Sequence, residues 1–194
     1  MRAAAVLAAL AACSYAPLDA TGTLDAPSVR DDAAGTCAAP ASYGSPTMAS
    51  QLAMFFQGSG QQADDLQYLG KLNADDTLDV ELIDGSPPFT DSIGAPETIA
   101  LSGSQLQYST CSGCVLIFAK CTTCNLTSPT FNGTPYMATA GTLAISDVNP
   151  TIIGTVTNAT FVEVTIDDNG VTAPVPGGCT TAITSASFNV NVQQ

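Results

Sequence analysis

The chain has 194 residues, 45% of them hydrophobic and 11% charged, with 4 Lys+Arg against 17 Asp+Glu and no histidine. A chain this apolar and this poor in charge can bury a core, and its length suits one domain. The net charge of −13 excludes nucleic acid as a partner, because no basic stripe is present to neutralise phosphates. The lack of histidine removes Ser-His-Asp and Cys-His catalysis together with His-ligated zinc.

At the N-terminus Arg2 precedes an unbroken apolar run from Ala3 to Ala12. The run is far below the ~20 residues of a membrane-spanning helix but suits the apolar region of an export signal. Leu10-Ala11-Ala12-Cys13 resembles the lipobox of bacterial lipoprotein precursors: an aliphatic residue, two small residues, then cysteine. The resemblance implies a signal peptide over residues 1–12, a diacylglyceryl thioether on Cys13, and acylation (palmitate-type chains) of the new amino group. Ser14, where Asp would retain such a protein elsewhere, implies sorting to the outer membrane, with the body on its periplasmic or cell-surface face. Several acyl chains at about 0.8 kcal/mol per buried methylene make a durable anchor.

Residues 13–45 are rich in Ala, Pro, Gly, Ser, Thr and Asp without periodicity, the composition of a flexible tether. Cys37 marks the point where its far end is stapled. Residues 46–194 form the expected single domain. It opens on Ser45-Pro46, with Met48, Leu52, Phe55 and Phe56 spaced for either one short helix or the end of an aromatic strand.

From there the pattern is β. Leu66–Leu72 leads through Asn73-Ala74-Asp75-Asp76, a hairpin turn, into Thr77–Ile83, where Leu78, Val80 and Leu82 alternate with Asp79 and Glu81 as in a half-buried strand. Val115–Ala119 is a continuous run of strand formers. Val162, Val164 and Ile166 alternate with Glu163 and Thr165, and Phe188, Val190 and Val192 alternate with Ser187, Asn189 and Asn191. Asp167–Gly170 and Pro174–Gly178 punctuate these as turns. The expectation is an all-β fold, an antiparallel β-sandwich or a barrel-like domain, with at most one short helix and with disulfide staples.

Seven cysteines less Cys13 leave Cys37, Cys111, Cys114, Cys121, Cys124 and Cys179, an even set that in an exported chain reads as three disulfides. The pairing is open: bridges within each Cys-x-x-Cys, or from these strand ends to Cys37 and Cys179. A four-cysteine zinc site is disfavoured, because an extended Val115–Lys120 holds Cys114 more than about 20 Å from Cys121.

Acidic residues cluster at Asp75, Asp76 and Asp79 and at Asp167 and Asp168, and these are the candidate calcium ligands. The clusters lack the glycine and terminal glutamate of an EF-hand loop. No nucleophile elbow or phosphate-cradling loop is present, and no enzymatic activity is inferred. The expected function is that of a lipid-anchored envelope protein with a structural or interaction role. The alternative is a calcium-dependent module that binds a glycan or protein ligand.

Overall fold

The computed structural model describes residues 37–58, 63–122, 124, 125, 128, 129 and 131–193. The signal, Cys13 and most of the tether lie outside the described residues. Eleven strands follow in order: β1 (Gln51–Phe56), β2 (Asp65–Lys71), β3 (Thr77–Ile83), β4 (Glu97–Ala100), β5 (Gly113–Ala119), β6 (Cys124–Asn125), β7 (Ser128–Pro129), β8 (Thr134–Asp147), β9 (Thr151–Ile166), β10 (Thr172–Pro174) and β11 (Thr180–Gln193). One turn of 3-10 helix, Gly103–Leu106, lies between β4 and β5. The fold is all-β, as the alternation indicates. The stretch with two possible readings, around Met48–Phe56, is the strand β1.

Nine strands make one sheet in the order β10-β9-β11-β1-β2-β3-β5-β8-β4, and β8 also pairs with β9. That last pairing closes the sheet into a ring of seven strands, so the barrel-like form of the expectation is the one adopted. Closure removes sheet edges that would otherwise template aggregation. All pairings are antiparallel except β1 with β11, which run parallel with Ala53 opposite Val192. Gly44 forms a second parallel bridge to β11 at Ile183, and Tyr43 donates its backbone N–H to Ala182. Tyr43 and Gly44, expected at the end of the tether, are therefore bonded along β11.

The interior follows from the period of two. Tyr68, Leu78, Val80, Leu82, Val115, Ile117, Tyr136, Val156, Phe161, Ile183 and Phe188 fill it. Tyr68 stacks on Phe188 with ring centroids 4.3 Å apart, a contact worth a further ~1 kcal/mol beyond area burial. In β8, Gly141 takes φ +122, and a Cβ there would meet the Ala159 Cα at 2.7 Å, so only glycine fits. At this point the pairing partner of β8 changes from β5 to β4.

A second, smaller apolar layer lies outside the ring. Cys111, Cys114, Leu116, Met137 and Val164 pack together there, with Tyr108, Phe118 and Ile166 against them. The alternation of Val162, Val164 and Ile166 is as expected, but it serves this outer layer and not the interior. Across β8, β9 and β11 the outer surface is rich in hydroxyls. Thr142, Thr157 and Ser185 stand in register across β8, β9 and β11, as do Ala144, Thr155 and Ser187.

Candidate functional site

The polar face of β3 is buried. Asp79 is 1% exposed and Glu81 5%, where the alternation implies a solvent-facing pair. The reason is tertiary: between Leu101, which lies in the interior core, and Ser112, which pairs with Ile83 of β3, the chain between β4 and β5 folds back as a strap over the outer face of the sheet. Tyr108 donates its hydroxyl to Glu81 Oε1 at 3.0 Å. The strap is also tied to the β9–β10 hairpin. Gln107 Nε2 donates to the Thr172 carbonyl at 3.0 Å, while the Thr172 N–H returns a bond to Gln107 Oε1 at 3.0 Å. The Cys111–Cys114 disulfide clips its end to the start of β5.

Beneath the strap the carboxyls are held by neutral donors. Gln67 lies opposite Glu81 in the β2–β3 register. Its Nε2 reaches both Asp79 oxygens at 3.2 Å and Glu81 Oε1 at 3.0 Å. Asp65, two residues earlier on the same face of β2, completes the group, with Oδ1 buried and without a partner. The carboxyls of Asp79 and Glu81 share this one amide nitrogen, so their oxygens lie within a few ångströms of each other. Two buried carboxyls this close do not both ionise, so the pair keeps one proton between them. Glu81 is the better-solvated member, accepting from Gln67 and Tyr108, and Asp79 is the proton holder.

Electrostatics agree with that assignment. Burial, then the Glu81 charge, pushes the Asp79 carboxyl well above its ordinary range. Burial raises Glu81 too, opposed by the bonds it accepts from Tyr108, Asp79 and Gln67. Asp65 is pushed up to about 7 by burial and then by Glu81. No cationic side chain takes part in these interactions, so the proton does the work that a lysine or arginine performs elsewhere.

The calcium candidates are not brought together. Asp76 is buried and fully engaged: Oδ2 accepts the Tyr43 hydroxyl at 2.8 Å and Asn73 Nδ2 at 2.7 Å, while Oδ1 accepts the Lys120 N–H at 2.8 Å. Asp75 is exposed on the same turn, and Asp79 belongs to the buried group on β3. Asp167 Oδ1 accepts the N–H groups of Asn169 and Val171, both at 2.9 Å, the bonding of an Asx turn, and Asp168 is exposed beside it. Among the described residues no group of three or more acidic or cysteine side chains is placed to hold a metal ion.

The six other cysteines form three disulfides: Cys37–Cys179, Cys111–Cys114 and Cys121–Cys124. The two short bridges flank β5, one at each end. The long one joins the segment before β1 to the turn before β11. A cavity of about 220 Å3 opens at one end of the barrel, lined by Phe55, Leu66, Ile93, Val148 and Val192 with the polar Asp64, Ser92 and Asn149. It is smaller than the usual ~300–1,000 Å3 of a ligand pocket, and neither Asp79 nor Glu81 reaches it.

Gln67, Tyr108 and Asp65 are the members of the buried group that sequence reasoning missed. The i, i+2 acid pair on β3 was its one visible signal, and it reads as exposure without knowledge of the strap. No family model, curated protein or solved structure matches this chain.

Proposed function

We propose that this chain is a lipid-anchored cell-envelope protein, held at the outer membrane through Cys13, whose barrel has a structural or interaction role and not a catalytic one. The observation that carries the reading is the pairing of six cysteines into three disulfides, which leaves Cys13 alone outside them. Three bridges suit an oxidising compartment beyond the inner membrane. A seventh cysteine placed after Leu10-Ala11-Ala12 then has a separate chemical fate, and thioether lipidation supplies it.

The surface supports an interaction role. The outer face over Thr142, Thr155, Thr157, Ser185 and Ser187 offers hydroxyl donors and acceptors without a charge, on a protein of net charge −13. A neutral hydrogen-bonding face lets a glycan or protein partner approach without meeting the repulsion of the acidic remainder. The calcium-dependent alternative has no observation in its favour, since its ligands are dispersed.

The test is detergent phase partitioning and intact mass of the wild type against Cys13→Ala, both expressed in a Gram-negative host. The expected result is wild type in the detergent phase with added acyl mass and Cys13→Ala in the aqueous phase. Wild type that stays aqueous without added mass overturns the anchor.

A further inference from the structure

We propose that the strap of residues 101–112 is a proton-dependent cover, shut while the Asp79–Glu81 pair holds its proton and released when both carboxyls ionise. Strap and acid pair both belong to the barrel, apart from any lipid anchor. One amide nitrogen, Gln67 Nε2, contacts both carboxyls at 3.0–3.2 Å, so their oxygens lie within a few ångströms of each other. With the proton gone, two like charges share a water-poor space and only two neutral donors, Gln67 Nε2 and the Tyr108 hydroxyl, an arrangement that is costly without a cation.

No titratable group facing the pair supplies a positive charge. From β2, Asp65 adds a third carboxyl. From the strap comes Tyr108, whose hydroxyl is held protonated by burial and by the Glu81 charge. On β5, Cys114 and Leu116 lie opposite Glu81 and Asp79, the first locked in a disulfide and the second apolar, so neither titrates. Relief must come from water.

The strap is the element that can yield. β3 is paired along its length to both β2 and β5 and sits in the closed ring. The strap is held by Tyr108 to Glu81, by Gln107, Tyr108 and Ser109 to the β9–β10 hairpin at Thr172 and Gly170, and at its base by buried Gln105, whose Oε1 accepts the N–H groups of Ser112 and Gly113 at 3.2 and 2.9 Å. Gln105 at one end and the Cys111–Cys114 clip at the other stay in place, so opening is a swing of residues 106–110 and not an unfolding of the barrel. Release exposes the apolar outer layer of Leu116, Met137 and Val164, a surface hidden while the proton is present.

Hydrogen exchange of the intact oxidised protein, followed by mass spectrometry at about pH 5 and about pH 8 and corrected for intrinsic exchange, tests this. In the wild type the protection of residues 106–110 falls by roughly tenfold or more at the higher pH, while that of β9 and β11 holds. Asp79→Asn, which keeps a neutral donor in place of the protonated acid, leaves strap protection the same at both pH values. Tyr108→Phe cuts the latch, leaves both carboxyls of the pair in place with one donor fewer to Glu81, and lowers strap protection at both. A wild-type strap whose protection changes no more than that of β9 and β11 overturns the proposal, as does an Asp79→Asn protein with the wild-type response. If Asp79→Asn fails to fold, the strap-against-barrel comparison and Tyr108→Phe still decide it.

Discussion

The Tyr43 hydroxyl donates to Asp76 Oδ2 at 2.8 Å and joins the segment before β1 to the β2–β3 turn. The same carboxylate takes the Lys120 N–H just after β5, so one buried acid ties three separate stretches of chain. Asp76 thus has a structural role where its turn position suggested a cation ligand. Asp76→Ala removes three part-buried charge-assisted bonds at once. Bonds to a charged partner are worth about 1.5–3 kcal/mol each but share one cost of burial, so a loss on the order of 3 kcal/mol is expected. Urea denaturation checks it: the midpoint falls while the slope stays that of the wild type.

Acid–base behaviour follows from the buried group on β2 and β3. Asp79, Glu81 and Asp65 all have folded-state values raised above the ordinary carboxylate value, and for Asp65 that value is about 7. Between the unfolded value near 4 and the folded value, the native state binds more protons than the unfolded chain. Stability contributed by these groups is therefore fully present below about pH 4 and is lost as pH rises toward and past 7. Thermal midpoints measured from pH 4 to pH 8 fall across that window in the wild type. Asp79→Asn flattens the fall and melts above the wild type at the alkaline end. A wild-type midpoint that rises with pH contradicts the buried, proton-sharing arrangement.

Much of the barrel was legible because local pattern and tertiary outcome agree. The Asn73–Asp76 turn, the alternation through Phe188, Val190 and Val192, and the buried run Val115–Ala119 each need only a neighbouring strand to be explained. What could not be read depends on chain segments far apart. Closure requires Ala53 to meet Val192 in parallel, and nothing near either residue encodes the other. Asp79 and Glu81 read as solvent-facing because the strap that buries them has no periodicity of its own and is held by Gln107, Tyr108 and a three-residue disulfide. Polarity was mistaken for exposure there. The buried group was visible as residue types, but its environment was not.

Calcium is expected to leave the melt unchanged. Asp76 has no oxygen to spare, Asp79 is sealed under the strap, and Asp167 Oδ1 caps its own turn. A protein of net charge −13 gains slightly from any divalent cation through screening, so the comparison is calcium against magnesium at equal ionic strength, each followed by EDTA. Equal midpoints are the expected outcome. A calcium-specific rise would revive Asp75 and Asp168, the exposed members of the two turns, as ligands.

The three disulfides differ in what they contribute. Constraint of the unfolded chain grows with the loop closed, and Cys37–Cys179 spans a sequence separation of 142 against 3 for each of the others. In the chain-entropy account the long bridge is worth about 5 kcal/mol and each short one about 2. Cys37→Ser with Cys179→Ser therefore destabilises the barrel more than loss of either Cys-x-x-Cys bridge. The effect should appear as a larger drop in the urea midpoint, because the native ties of Tyr43 and Gly44 to β11 cannot replace a constraint that acts on the unfolded state. Replacing Cys111 and Cys114 by serine costs less globally but frees the base of the strap, so its damage concentrates in residues 105–112. Midpoints ranked in the reverse order, with the long bridge the cheapest to lose, would mean that the unfolded chain already holds its two ends together.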